Sequence, residues 1–324
     1  MDEYYDRAPQ CEAPAIERIL RDAGYDMSDG LEFSLLSGGF QNWNYVVRVG
    51  NGDPFVLRIV KCPEVLEKEF KLLSRMAAAG DGIPMPRGLW CRSRAGAPPV
   101  AAMTFMPGEL LWKARTRLDS GARRKVSANL GGILARIHAQ KYAHFGFLNA
   151  DVEVAQPVES YTDWTVGHIH SCIASVRFRR RLDEGLIRRL EQCIVQNAPL
   201  HDAACEPCLC HGDFNEKNIL IDLDATGGPT VSAVLDWEYA LAGAPHFDIG
   251  NLFRFSAVDP WIDSPAFESG YVEAGGELDV NWLSRALLAD LVAMCHMLDS
   301  EEDSPRSHAT AAALIEKSVG RLGG

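Results

Sequence analysis

Long hydrophobic runs are missing from this 324-residue chain, and no apolar stretch approaches the ~20 residues that a helix needs to cross a bilayer. No membrane partner is therefore expected. The acidic first thirty residues hold neither a basic leader nor an apolar core, so no secretory signal is expected and the cytoplasm is the expected compartment. Positive charge is scarce too. Against 44 Asp and Glu stand 32 Lys and Arg, a formal net charge of −12. Nucleic acid, whose phosphates demand a basic face, is not an expected partner. A second cysteine pair is also lacking. Cys205-x-x-Cys208-x-Cys210-His211 has the flavour of a metal site, but a closed zinc centre takes two ligand pairs separated by a loop. The nine cysteines are expected to be reduced, with this cluster lining a buried strand.

What is present describes an ordinary globular chain, 47% apolar and 23% charged, long enough for two lobes. The acidity is uneven. From Ser256 to Gly324 there are twelve Asp and Glu against four Lys and Arg, so −8 of the formal −12 lies there. Such a charge suits either a solvated surface or a cleft that concentrates a small cation.

An amphipathic helix is expected over 13–22, followed by strands between Leu31 and Lys61. Asn51-Gly52-Asp53 between β-rich runs signals a hairpin. Pro63 ends the last of these strands and opens a helix to about Ala79, with Val65, Phe70, Leu72, Leu73 and Met76 on its apolar face. Strands are expected near 89–91 and 100–105. Pro107-Gly108 then breaks the pattern. Beyond it helices dominate, over about 120–142, about 162–197 and after His246, interrupted by a β-rich island from Leu209 to Asp236. The fold class expected is α+β, with a β-rich lobe over 1–106 and a mostly helical lobe over 107–324.

The island holds the chemistry. His211-Gly-Asp213-Phe-Asn-Glu-Lys-Asn218 has the His-x-Asp-x-x-x-x-Asn spacing of a kinase catalytic loop, with glycine in place of its arginine. A second carboxylate, Asp236, closes the apolar run Val231-Ser-Ala-Val-Leu. Phosphoryl transfer needs one carboxylate to take a hydroxyl proton and oxygen ligands to hold magnesium. Asp213 is the candidate base, and Asn218 and Asp236 the candidate Mg²⁺ ligands. His211 is expected to brace the loop through a backbone hydrogen bond. Ser37-Gly38-Gly39-Phe40-Gln41-Asn42, between two expected strands, lies where a hairpin could bring backbone N–H groups to phosphates, though it is neither Gly-x-Gly-x-x-Gly nor a Walker A loop. Arg58 stands where kinases carry the phosphate-contacting lysine of their third strand, with Glu69 as its candidate ion-pair partner.

Taken together, these segments resemble the aminoglycoside phosphotransferase family, within a superfamily that includes choline and homoserine kinases and shares the protein-kinase fold. The resemblance spans nearly the whole chain, from Leu-Ser-Gly-Gly-Phe-Gln-Asn-Trp-Asn-Tyr through Phe-Val-Leu-Arg-Ile, Glu69, Phe-Met-Pro-Gly and Leu-Ala-Arg-Ile-His. It continues in the catalytic-loop block and in Val-Leu-Asp-Trp-Glu-Tyr-Ala…Phe-Asp-Ile-Gly-Asn-Leu. It implies a two-lobe fold with a small antiparallel sheet and one main helix in the first lobe. It also implies ATP or GTP as co-substrate, a hinge from Thr104 to Met106 that binds adenine through its backbone, and a structural role for Asp248. Asp-Trp-Glu in place of Asp-Phe-Gly excludes a typical protein kinase. The acceptor implied is a small, cationic hydroxyl compound such as an aminoglycoside, with Glu238, Asp259, Asp263, Glu268 and Glu273 as candidate contacts. A choline, homoserine or sugar kinase is the alternative within the same chemistry, and a nucleotide-binding pseudokinase the alternative outside it. A monomer or homodimer is expected.

Overall fold

The computed structural model describes residues 13–38, 42–94, 96–201, 205–224, 228–256, 258–302 and 304–323. The chain divides into two compact units, one formed by residues 1–107 with 149–153, the other by 108–148 with 154–324.

The first unit opens with α1 (Ala13–Asp22), which buries Ile16 and Leu20. Strands β1 (Leu31–Gly38), β2 (Asn42–Val49) and β3 (Phe55–Val60) lead to α2 (Pro63–Ala79), β4 (Gly88–Arg92) and β5 (Val100–Thr104). The five strands pair antiparallel in the order β1-β2-β3-β5-β4. Proline at the start of α2 costs no hydrogen bond, and Gly80, in the left-handed region at φ 71°, ends it. Leu66, Leu72, Leu73 and Met76 recur at helical spacing and are buried. Glu69 lies on the same buried face, where a carboxylate needs a partner.

The second unit begins with β6 (Glu109–Leu110), α3 (Leu111–Ala114), α4 (Ser120–His138) and β7 (Gly146–Phe147). Helices α5 (Tyr161–Ala174), α6 (Val176–Arg181), α7 (Glu184–Gln196) and α8 (Ala198–His201) follow. The single helix expected over 162–197 is thus three. Ser175 and Asp183 have extended backbones and cap the amides of the helices that follow them, so each starts a new helix. Strands β8 (Cys208–Cys210), β9 (Ile219–Asp222), β10 (Thr230–Val234) and β11 (Leu241–Gly243) form the expected island. The chain closes with α9 (Pro245–Phe253), α10 (Ser264–Glu273), α11 (Trp282–Asp299) and α12 (Pro305–Leu322).

Apolar faces of α5, α6, α7, α11 and α12 meet in one core around Ile169, Phe178, Leu190, Leu291 and Leu314. Helices α4 and α10 approach more closely than side chains permit. A Cβ on Gly131 would lie 2.1 Å from the Phe267 carbonyl oxygen, and one on Gly270 would lie 2.1 Å from that of Ala128. This contact sets His138 against Tyr271. Two small sheets, β10-β9-β6 and β7-β11-β8, complete the unit. Among the described residues, no helix is long and apolar enough to cross a membrane.

Candidate active site

Strand β8 is buried throughout and delivers the loop 211–218, which returns as β9. The loop is clamped from below by Asp248 on α9, a carboxylate with no exposed surface. Asp248 accepts from the amides of His211 (2.7 Å) and Gly212 (2.9 Å), and its Oδ2 lies 3.3 Å from Nε2 of His138. His138 Nδ1 meets the Tyr271 hydroxyl at 2.8 Å. The buried carboxylate is thereby met by partners from the loop and from α4, the condition for tolerating it. Gly212 explains its own identity. Its φ is +85°, and a Cβ there would lie 2.2 Å from the Tyr239 carbonyl oxygen, so an arginine does not fit this backbone. His211 turns Nε2 to the Leu235 carbonyl (2.9 Å) and takes the Asp213 amide on Nδ1 (3.2 Å), the pattern of a neutral ring protonated on Nε2.

Above that base, the Asp213 carboxylate is held at both oxygens. Asn215 Nδ2 donates to Oδ1 at 2.7 Å and Asn218 Nδ2 to Oδ2 at 2.8 Å. The Asn218 carbonyl accepts from the Leu235 amide at 2.7 Å, which ties it to the residue before Asp236. Asp236 has φ 64° and ψ 67°, the left-handed region that L side chains avoid. Only Val152 shares a positive φ among the described non-glycine residues. The Tyr239 phenol reports on the local field. Desolvation, then the carboxylates of Glu238, Asp236 and Asp213, push it up to about 12. Asp213, Asn218 and Asp236 are therefore brought into one neighbourhood, and the last two offer the hard oxygen donors that magnesium takes.

A contact that the motif does not reveal anchors the same loop. The Glu216 side chain faces Arg115 (3.4 Å), which also pairs with Asp259, while the Glu216 carbonyl accepts from the Trp112 amide at 2.9 Å. Burial pushes the Glu216 carboxyl up against the pull of Arg115. Arg115 also lies over the Trp112 ring, 6.0 Å from its centre. Glu216 and Arg115 are separated by a hundred residues, and no local pattern announces the pairing.

The remaining acidic candidates occupy different stations. Glu238 is half-buried beside Asp236. Asp259 is the partner of Arg115, Asp263 caps α10 by accepting from the Ala266 amide (3.0 Å), and Glu273 accepts from Ser269 (2.7 Å). Glu268 is exposed on α10.

In the first unit, Arg58 on β3 and Glu69 on α2 form an ion pair at 3.3 Å, only 4% and 2% exposed. Asn42 begins β2 opposite Val60, and Gly38 ends β1 opposite Trp43. Gly39 lies outside the described residues. Thr104 ends β5, with Oγ1 accepting from the Arg87 amide (2.9 Å) and donating to the Met106 sulfur (3.8 Å).

Residues 32–288 match the model of the phosphotransferase enzyme family. Solved structures of similar fold include wild-type aminoglycoside 2'-phosphotransferase-IIIa with GDP (TM-score 0.73, 16% identity, 96% of this chain and 99% of that one). A thermostable mutant of aminoglycoside phosphotransferase APH(4)-Ia with AMP-PNP and hygromycin B is similar at TM-score 0.68 and 20% identity, over 96% of this chain and 99% of the other. At these identities the likeness is one of fold, which is kinase-like. Among curated proteins, mouse (Mus musculus) acyl-CoA dehydrogenase family member 10 is 24% identical over 248 residues, 72% of this chain. Rat (Rattus norvegicus) acyl-CoA dehydrogenase family member 11 is 26% identical over 192 residues, 59% of this chain. The chain spans 21% and 23% of the lengths of these two relatives. With most of its length matched, the chain belongs to the phosphotransferase enzyme family.

Proposed function

We propose that this protein transfers the γ-phosphate of ATP or GTP to a hydroxyl of a small molecule, with magnesium as cofactor. The observation that carries this reading is the Asp213 carboxylate fixed by Asn215 and Asn218, with Asn218 joined through Leu235 to Asp236. In this reading Asp213 orients the acceptor hydroxyl and takes its proton as the new bond to phosphorus forms. Because both of its oxygens accept from amides, the carboxylate plane is set before the acceptor arrives, and little reorganisation remains. The Asn218 amide oxygen and the Asp236 carboxylate would hold the metal, which when bound neutralises charge on the transferring phosphates. In the first unit, Arg58 braced by Glu69 would contact the α- and β-phosphates. Gly38, Gly39 and Asn42 would line the phosphate hairpin, and the backbone from Thr104 to Met106 would meet the base.

The first acceptor class to test is a cationic hydroxyl compound such as an aminoglycoside, in which case the activity would amount to antibiotic resistance. Solved neighbours hold hygromycin B and kanamycin, and Glu238 supplies negative charge beside Asp213 and Asp236. Asp259, Asp263, Glu268 and Glu273 are further from the reaction in role, since three of them already serve internal bonds. A second class, a hydroxylated acyl thioester, is favoured by the curated relatives, whose names are those of acyl-CoA dehydrogenase family members. The test is nucleotide consumption over a panel of aminoglycosides, choline, homoserine, sugars and hydroxyacyl thioesters, with Asp213→Ala as the control. Acceptor-dependent turnover that the substitution abolishes supports the reading. Partner or nucleotide binding without turnover in the unaltered protein supports a pseudokinase instead.

A further inference from the structure

The exposed aromatic side chains of the second unit are not scattered. In the sheet β7-β11-β8, Leu241 pairs with Phe147 on one side and with Cys210 on the other. Because the strands alternate in direction, three chain segments emerge at this same end. They are the catalytic loop after Cys210, the turn through Tyr239 before β11, and the end of β7 at Phe147. Tyr239 is 57% exposed and Phe147 65% exposed, and the strand order places the Tyr239 segment between Phe147 and the segment that carries Asp213. Tyr239 is held in place by its own backbone, which presses against Gly212. Phe147 is backed by other rings. Trp164 stands edge-on to it at 5.1 Å and 85°, and Tyr161 lies 6.0 Å beyond Trp164 with Phe145 at 5.0 Å. Phe147 is thus backed by rings and open to solvent in front, and Tyr239 is open beside the catalytic loop, an arrangement that leaves apolar surface for an acceptor to cover.

The carboxylates present a contrast. Of the acidic residues that could build a cationic pocket, Asp259, Asp263 and Glu273 already bond within the protein. Close to Asp213, uncovered aromatic surface is the more available means of holding an acceptor. We propose that Tyr239 and Phe147 form a shelf for the C–H face of the acceptor, so that its class is a hydroxyl compound with an extended apolar face rather than one held by charge alone. This inference rests on the phosphotransferase reading and deepens it. The acceptor lies flat on the rings, its hydroxyl reaches Asp213, and the contact discriminates by apolar area. Each additional methylene laid on the shelf raises kcat/KM by about three- to fourfold until the rings are covered.

The experiment uses the full chain with magnesium and ATP or GTP. Its probes are kanamycin and hygromycin B on one side, and hydroxyacyl thioesters of increasing chain length on the other. The expected result is kcat/KM that rises with chain length and changes little with ionic strength. Tyr239→Ala should raise the acceptor KM at least tenfold while leaving the nucleotide KM within twofold. Tyr239→Phe, which keeps the ring and loses the hydroxyl, should restore the KM to within about threefold, and Phe147→Ala should flatten the dependence on chain length. Both side chains are exposed, and unchanged thermal midpoints would confirm that the variants fold. Transfer to a polycation with a KM that climbs with salt and is untouched by Tyr239→Ala overturns the shelf while the phosphotransferase reading stands. So does transfer to a thioester without dependence on chain length or on either ring. Absence of phosphate transfer to every probe by the unaltered chain overturns the phosphotransferase reading, and the shelf falls with it.

Discussion

The catalytic loop and the C-terminal third are both rich in carboxylates, and they use them in opposite ways. At the loop, Asp213 accepts from Asn215 and Asn218, and the Asp248 beneath it accepts from the amides of His211 and Gly212, so that each carboxylate is fixed by two donors of one loop. In the C-terminal third the acids are absorbed locally. Asp263 caps a helix, Glu273 bonds a serine one turn away, and Asp279 holds Arg285. The difference teaches that spacing carries more functional information than charge. A motif forces its residues into one place, whereas a net charge of −8 can be dispersed in caps, pairs and hydration without building any site.

The largest effect that would sharpen this contrast is at Asp213. Replacement by alanine removes the proton acceptor, and turnover should fall about 10²–10⁴-fold with the thermal midpoint little changed, as read by steady-state kinetics and calorimetry together. If an acid of the C-terminal third gave the same loss, the contrast would be broken.

Asp248 comes next, and there stability should suffer as well. Asp248→Ala leaves the amides of His211 and Gly212 buried without an acceptor and strands His138 beside Tyr271. About 3–5 kcal/mol is the expected cost of breaking such a buried network. Denaturant titration should show the loss, and kcat should fall because the loop is no longer clamped.

His246, two residues before Asp248, links the same region to pH. Burial, then Arg285, pushes its ring down to about 4. In the unfolded chain the ring titrates near 6.5. Between those values the unfolded state binds the extra proton, so the contribution to stability is full above about pH 6.5 and is lost as pH falls towards 4. At most about 3 kcal/mol is involved. His246→Gln should flatten that part of the stability–pH curve, and an unchanged slope would remove His246 from the account.

How much of this was readable in the chain depends on the range of the interaction. The order of strands and helices, α2 with its proline start, and the His-x-Asp-x-x-x-x-Asn spacing follow from local rules, whereas the antiparallel sheet and the kinase-like fold were expected from the family resemblance. Gly212 in place of arginine was visible as a departure, but its cause, the Tyr239 carbonyl 2.2 Å from where a Cβ would sit, is a contact across 27 residues. The break of 162–197 into three helices was written in Ser175 and Asp183, yet apolar residues continue through both caps and mask them. Arg115 with Glu216 and Asp259 left no trace at all, since a pair separated by 144 positions depends on the completed fold.

The smallest expected effects lie in the acidic third, and they test the comparison from its weaker side. Asp263→Ala removes an N-cap acceptor from α10 and should cost about 1 kcal/mol of stability. It should leave kcat within a factor of two, because the carboxylate is turned to the Ala266 amide. Glu268→Ala touches an exposed carboxylate on the same helix and should change neither stability nor the acceptor KM measurably. That null result is informative only alongside Glu238→Gln, which alters charge beside Asp236 and should raise KM for a cationic acceptor several-fold at low salt and less at high salt. Should Glu268 and Glu238 respond alike, with the same salt dependence, the acids of α10 would share the acceptor's electrostatic field. Divergent responses would confine that field to the carboxylates that the loop itself brings together.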